Sequence, residues 1–216
     1  MIKHPVSVAG ILLALFATAG TALVAVTNNL TAEKITANER EALLQSLTAL
    51  VPAETIDNDI ATDTRLVSQR ALLGSDQTLV YLGRKEGSPV AAVFSSVVPN
   101  GYSGPIKLLV AVNTDGTLGG VRVVAHKETP GLGDKVEESR SDWIFSFNDK
   151  SLSNPALAGW KVKKDGGQFD QFTGATITPR AIVTGVKNTL LYFQEHGKAL
   201  FLKPDGAAPD KATKDE

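Results

Sequence analysis

The stretch Asp170-Gln171-Phe172-Thr173-Gly174-Ala175-Thr176-Ile177-Thr178-Pro179 sets three hydroxyls, on Thr173, Thr176 and Thr178, around two residues with almost no side chain. Gly174 and Ala175 leave room for a bulky group to approach the backbone. The hydroxyls serve as hydrogen-bonding groups or as a point of covalent attachment. Pro179 suits the first turn of a helix, where the N–H it lacks would have no partner anyway. A helix N-terminus favours anions. These residues therefore predict a phosphate seat with a reactive hydroxyl in it. The plainer alternative is an ordinary helix start with Thr178 as N-cap, a cap worth about 1 kcal/mol.

A second run, His126-Lys127-Glu128-Thr129-Pro130-Gly131-Leu132-Gly133-Asp134, breaks regular structure and leaves a loop. Thr-Pro-Gly alone reads as a turn in which Gly131 supplies a positive φ. Trp143 and Phe145 in Asp142-Trp143-Ile144-Phe145 read as core in preference to stacking on a ligand.

Composition removes several other chemistries. The chain has no cysteine, so iron–sulfur ligation by thiolates, c-type haem attachment and disulfides are all excluded. If it carries electrons, an organic cofactor must do so. His4, His126 and His196 are far apart and show no metal-ligand spacing. No Gly-x-Ser-x-Gly elbow is present, and no Gly-x-Gly-x-x-Gly follows a strand. A net charge of −1 carries no electrostatic footprint for nucleic acid.

The elements that must position these residues follow from patterning. After Lys3 and His4 no charged residue occurs until Glu33, and 6–26 is dominated by apolar and small residues. About 20 such residues cross a bilayer as a helix. A cleaved signal peptide has a shorter apolar core and a small-x-small site, which 17–19 and 25–27 only loosely resemble, so an uncleaved anchor is favoured. Lys3 favours an inside N-terminus. The expected layout is a cytoplasmic N-terminus at 1–5, a transmembrane helix at 6–26, a membrane-proximal helical segment at 27–77, an extracytoplasmic domain at 78–202 and a disordered tail at 203–216. Thr36-Ala37-Asn38-Glu39 reads as a capping box ahead of Leu43, Leu44, Leu47 and Leu50, with continuation of the membrane helix as the alternative. Strands are expected at 79–82, 90–94, 106–112 and 121–124, with a further candidate at 160–163. Val183, Val186, Leu190 and Phe193 space as a helix that Gly197 would cap. With 43% hydrophobic residues, the fold class is α+β: one membrane helix, then a twisted antiparallel sheet flanked by helices.

The run from Asp170 to Thr176 resembles the flavinylation motif Asp-x-x-(Ser/Thr)-Gly-Ala-Thr of bacterial membrane electron-transport subunits, complete over seven positions. Glu128 to Gly133 is similar to the Glu-Thr-Pro-Gly-Leu-Gly loop of the same FMN-binding domain, and 101–106 and 120–126 are similar to its preceding strands. The likeness spans roughly 91–197 plus the anchor. It is nearest the G subunits of Rnf (Rsx) ion-translocating oxidoreductase complexes. The C subunits of sodium-translocating NADH:quinone reductases form a sister family.

The resemblance implies FMN joined to Thr176 through a phosphoester by a separate Mg²⁺-dependent flavin transferase that takes it from FAD and releases AMP. Asp170 would serve recognition by that enzyme. Thr173, Gly174, Ala175, Thr178, His126, Glu128, Thr129, Gly131, Leu132 and Gly133 are the other expected cofactor contacts. Gly131 and Gly133 would admit the ring to the backbone, and Leu132 would cover an apolar face. The resemblance further implies an inner-membrane location, a periplasmic domain and other membrane subunits as partners. In such complexes electrons run between ferredoxin and NAD while sodium ions or protons move; no independent turnover is expected of this chain. Two other classes stay open: a cofactor-free single-pass structural or sensor subunit, and a flavin-bearing regulatory domain.

Overall fold

The computed structural model describes residues 5–202. The expected tail at 203–216, and all but the last residue of the expected N-terminal stub, lie outside the described residues. The chain divides into two compact units, Met1–Gln45 and Ser46–Glu216.

The first unit is helical. Helix α1 runs unbroken over Pro5–Leu50, its last residues belonging to the second unit. Between Thr21 and Val51 there is no glycine or proline to interrupt it. The capping box at Thr36 is not used as a helix start. Thr36 Oγ1 instead donates back to the Ala32 carbonyl, as Thr31 does to Thr27 and Thr27 to Leu23. Such back-bonding keeps a threonine inside a helix. The most apolar 18-residue window of Ser7–Ala32 has a mean hydropathy of 2.2, and none of that window is buried. At 1.5 Å per residue it is about 39 Å long, enough to cross a bilayer core.

The second unit is built on a five-stranded antiparallel meander in the order β1-β2-β3-β4-β5. The strands are β1 Thr64–Val67, β2 Thr78–Lys85, β3 Ser88–Val98, β4 Ile106–Asn113 and β5 Leu118–Ala125. A single helical turn, α2 Arg70–Leu73, links β1 to β2 and buries Leu73. The β2–β3 hairpin turns on Glu86 and Gly87, both at positive φ (53° and 74°), the conformation of the two-residue turns that match strand twist. Val80, Phe94, Val110 and Val121 stand opposite one another across four strands, all fully buried.

Helix α3, Ile177–Leu200, buries Ile182, Val183, Val186, Leu190 and Phe193 in the same core. Gly185 lets it settle on the sheet, since a Cβ there would collide with Val98 Cγ2. Gly197 does not cap the helix; it lies within it, under the Phe193 ring. Leu47, Leu50, Val51 and Ile60 are buried as well, with Val51 and Ile56 packed against Gly83 of β2.

Three further expectations change. Strand β1 lies outside the expected strands, because it is short and its one leucine, Leu66, faces solvent. Residues 160–163 are not a strand. They lie between 3₁₀ turns at Leu157–Gly159 and Lys163–Asp165, with a single parallel bridge from Val162 to Phe169. Residues 101–105 form a loop, and the strand begins only at Ile106.

Candidate functional site

Strand pairing brings the motifs together. Val98 pairs with Ile106 and Lys107 with Ala125, so the 99–105 and 126–133 loops leave the sheet at one end. The start of α3 meets them there. Between them lies a cavity of about 330 Å³ lined by Tyr102, Glu128, Thr129, Leu132, Gly133, Gly174, Ala175, Thr176, Ile177 and Thr178. A larger cavity of about 1020 Å³, at the far end of α3, contains none of the motif residues.

Each wall has a local cause. The Leu132 N–H donates to the Thr129 carbonyl (3.1 Å), closing a turn with Pro130 second and Gly131 third at φ 79°. That is the residue order a type II turn requires. The Ala175 N–H donates to the Phe172 carbonyl (3.1 Å), with Gly174 third at φ 82°. A Cβ on Gly174 would stand 3.5 Å from Leu132 Cδ2, so the two turns face each other closely.

Glu128 ties three segments together. It is 5% exposed. Its Oε1 accepts from the Ser103 N–H (3.0 Å) and its Oε2 from the Thr178 hydroxyl (2.5 Å). A Cβ on Gly101 would come within 2.8 Å of Oε1, and one on Gly133 within 2.8 Å of Oε2. Both glycines are there for space beside the carboxylate.

The three threonines have different fates. Thr178 is buried and its hydroxyl is committed to Glu128, so it is not the N-cap. Thr173 is exposed and outside the lining. Thr176 occupies the N-cap position, lines the cavity, and makes no side-chain capping bond.

His126, Gly131 and Asp170 also stand outside the lining. The Glu128 N–H donates to His126 Nδ1 (2.9 Å), which leaves the ring proton on Nε2, 2.6 Å from Glu137 Oε1. His126 thus orients the backbone of Glu128. Asp170 pairs with Lys163 at 2.6 Å on the surface, and its carbonyl accepts from Trp143 Nε1 at 2.8 Å. Trp143 is core: it meets Phe172 and Phe147 edge-on and holds the motif from behind. Arg180, in the first turn of α3, forks onto Asp165 at 2.6 and 2.9 Å. That hydrogen-bonded guanidinium holds the Asp165 carboxyl below its usual range.

Two lining residues lie outside the sequence-based set, Tyr102 and Ile177, which are 68% and 45% exposed. A tyrosine flanked by Gly101 and Gly104 is the available signal for the first; nothing in the sequence distinguishes the second from a core residue. With Leu132 they give the cavity an apolar rim.

The residues fit FMN. The rim suits a flat aromatic ring, and the cavity lies within the size range of small-molecule sites. The N–H groups of Ile177 and Thr178 open a 24-residue helix, where no helix carbonyl can satisfy them. They and the helix dipole supply an anion seat with no Lys or Arg among the described lining residues.

Fold and cavity define a flavin-binding domain on a membrane-type helix. A family model described as FMN-binding domain matches residues 101–191, and one described as RnfG N-terminal region matches residues 1–50. The G subunit of the ion-translocating oxidoreductase complex from Pseudoalteromonas atlantica is 48% identical, the match covering 92% of this chain and 93% of the relative. The G subunits of the same name from Shewanella oneidensis (44% identical; 94% and 96%) and Vibrio cholerae (45%; 91% and 94%) match over similar spans. The chain belongs to the family of G subunits of ion-translocating oxidoreductase complexes.

Proposed function

We propose that this chain carries electrons within a membrane-bound ion-translocating complex, with FMN joined to Thr176 through a phosphoester. The observation that carries the attachment point is the inequality of the threonines. Of the three, Thr173 is outside the wall and the buried Thr178 turns its hydroxyl to Glu128, whereas Thr176 lines the wall and makes no side-chain capping bond. FMN supplies the redox chemistry, and the protein positions and tunes it. The Thr176 hydroxyl is not acidic by itself, so attachment needs a dedicated Mg²⁺-dependent transferase. In that step Thr176 Oγ bonds to the FMN phosphorus of FAD, the P–O bond to AMP breaks, and the hydroxyl proton goes to a base. Asp170, the exposed residue that opens the motif, is available for recognition by that enzyme.

The match of residues 1–50 to the RnfG N-terminal region favours this family over the C subunits of sodium-translocating NADH:quinone reductases. Lys3 ahead of the apolar helix supports a cytoplasmic N-terminus and a domain on the periplasmic face of the inner membrane.

The test is a denaturing gel of the full chain co-expressed with a flavin transferase and viewed under ultraviolet light, with Thr176→Val alongside. Wild type should fluoresce and the folded variant should not. Covalent flavin retained in Thr176→Val removes Thr176 from the proposal.

A further inference from the structure

Among the described residues, Glu128 is the only charged side chain in the cavity wall. A carboxylate offers about four acceptor sites, and this one accepts from the Ser103 N–H and the Thr178 hydroxyl. No Lys, Arg or His is among the described lining residues: Arg180 is engaged with Asp165, Arg140 lies beside Asp134, His126 directs Nε2 to Glu137, and Lys127, next in the chain, is exposed. Asp134, buried next to Gly133, adds a second negative group on that side. A buried charge without an opposite partner is costly, and the structural tie alone does not demand one. Glutamine would fit the same place, its Oε1 accepting from Ser103 and its Nε2 donating to Thr178 Oγ1.

We infer that Glu128 is a fixed negative charge in the wall of the flavin seat that keeps the potential of the bound flavin low. The inference rests on the FMN reading above. Reduction brings electrons to the ring, and a like charge in a poorly hydrated wall opposes that more strongly than it would in water. Glu128 is thus a positioning residue for the three loops and an electrostatic one for the cofactor.

The experiment is a spectroelectrochemical titration of the FMN-loaded full chain in detergent at one pH, comparing wild type, Glu128→Gln and Thr178→Val. Glu128→Gln removes the charge and keeps the tie; Thr178→Val breaks the tie and keeps the charge. The midpoint potential should move to more positive values in Glu128→Gln and not in Thr178→Val. An unchanged or more negative potential in Glu128→Gln, or an equal positive shift in both variants, overturns the inference. If Glu128→Gln does not fold, the reduced-minus-oxidised infrared spectrum of wild type decides. A carboxylate band that persists in Asp134→Asn supports the charge, and its absence overturns it. Lack of covalent flavin in wild type overturns the Thr176 reading as well, whereas covalent flavin with an unshifted potential in Glu128→Gln overturns this inference alone.

Discussion

Gly133→Ala tests whether the cavity is held by space around one carboxylate. The added Cβ would lie 2.8 Å from Glu128 Oε2, 2.9 Å from Glu128 Cβ and 3.1 Å from Thr178 Oγ1. The Glu128 side chain cannot swing away freely, because it is buried and bonded at both oxygens. Overpacking of this kind costs about 1–3 kcal/mol, and losing a hydrogen bond to a charged group costs about 1.5–3 kcal/mol. The two overlap, since movement that relieves the clash breaks the bond, so the expected loss is about 2–4 kcal/mol. At about 2–4 °C per kcal/mol for a domain of this size, the melting temperature of the flavin-free chain should fall by about 5–15 °C. Thermal unfolding followed by far-ultraviolet circular dichroism reads it. Gly131→Ala is the control for backbone effects alone. Nothing lies within 4 Å of its added Cβ, and only its φ of 79° resists, at about 1–2 kcal/mol. A Gly133→Ala loss no larger than that of Gly131→Ala would refute steric wedging at Glu128.

Two further outcomes are expected. Gly185→Val drives a larger group into a contact where even a Cβ would collide with Val98 Cγ2. It should lower stability more than Gly10→Val, where nothing lies within 4 Å, as read by the same melts. Arg180→Gln should raise the Asp165 pKa back toward the ordinary carboxylate range in a carboxyl ¹³C titration. The folded pKa is depressed, so the pair's contribution is present above the unfolded pKa and lost as pH falls through the lowered folded value. The pair should therefore matter on the acid limb only, and an unmoved Asp165 titration would remove Arg180 as the cause.

The parts of this fold that sequence reveals are those dictated by local pattern. Strands β2 to β5 alternate or run apolar between turn signals, and Ile182 to Phe193 repeat at helical spacing. Pattern fails where long-range packing decides. Thr64–Val67 becomes a strand because β2 offers an edge with Thr64 opposite Tyr81. Trp160 is 1% exposed, packed among Phe147 and Phe169, and its neighbourhood mimics a strand without pairing as one. The capping box at Thr36 misleads for the opposite reason. Local capping chemistry is present, but an uninterrupted run of helix-compatible residues on both sides makes a break needless.

The site is legible as two motifs but not as one device. Each motif contains its turn glycine, and Gly131 and Gly174 act as local rules require. What joins them is a contact fifty residues apart in sequence, from Thr178 to Glu128, together with a third loop that shows no motif beyond the glycines flanking Tyr102. This contact also has a chemical consequence that neither motif expresses alone. Thr176 and Thr178 offer the same functional group two residues apart, and an attacking hydroxyl must have access to the phosphate. Burial withdraws Thr178 from that competition, its hydroxyl turned to Glu128, while the turn at Gly174 carries Thr173 out to solvent. Among the three threonines of the second motif, the fold thus leaves Thr176 as the one facing the seat with its hydroxyl uncommitted, so under the proposed attachment the choice among them is a property of the folded domain.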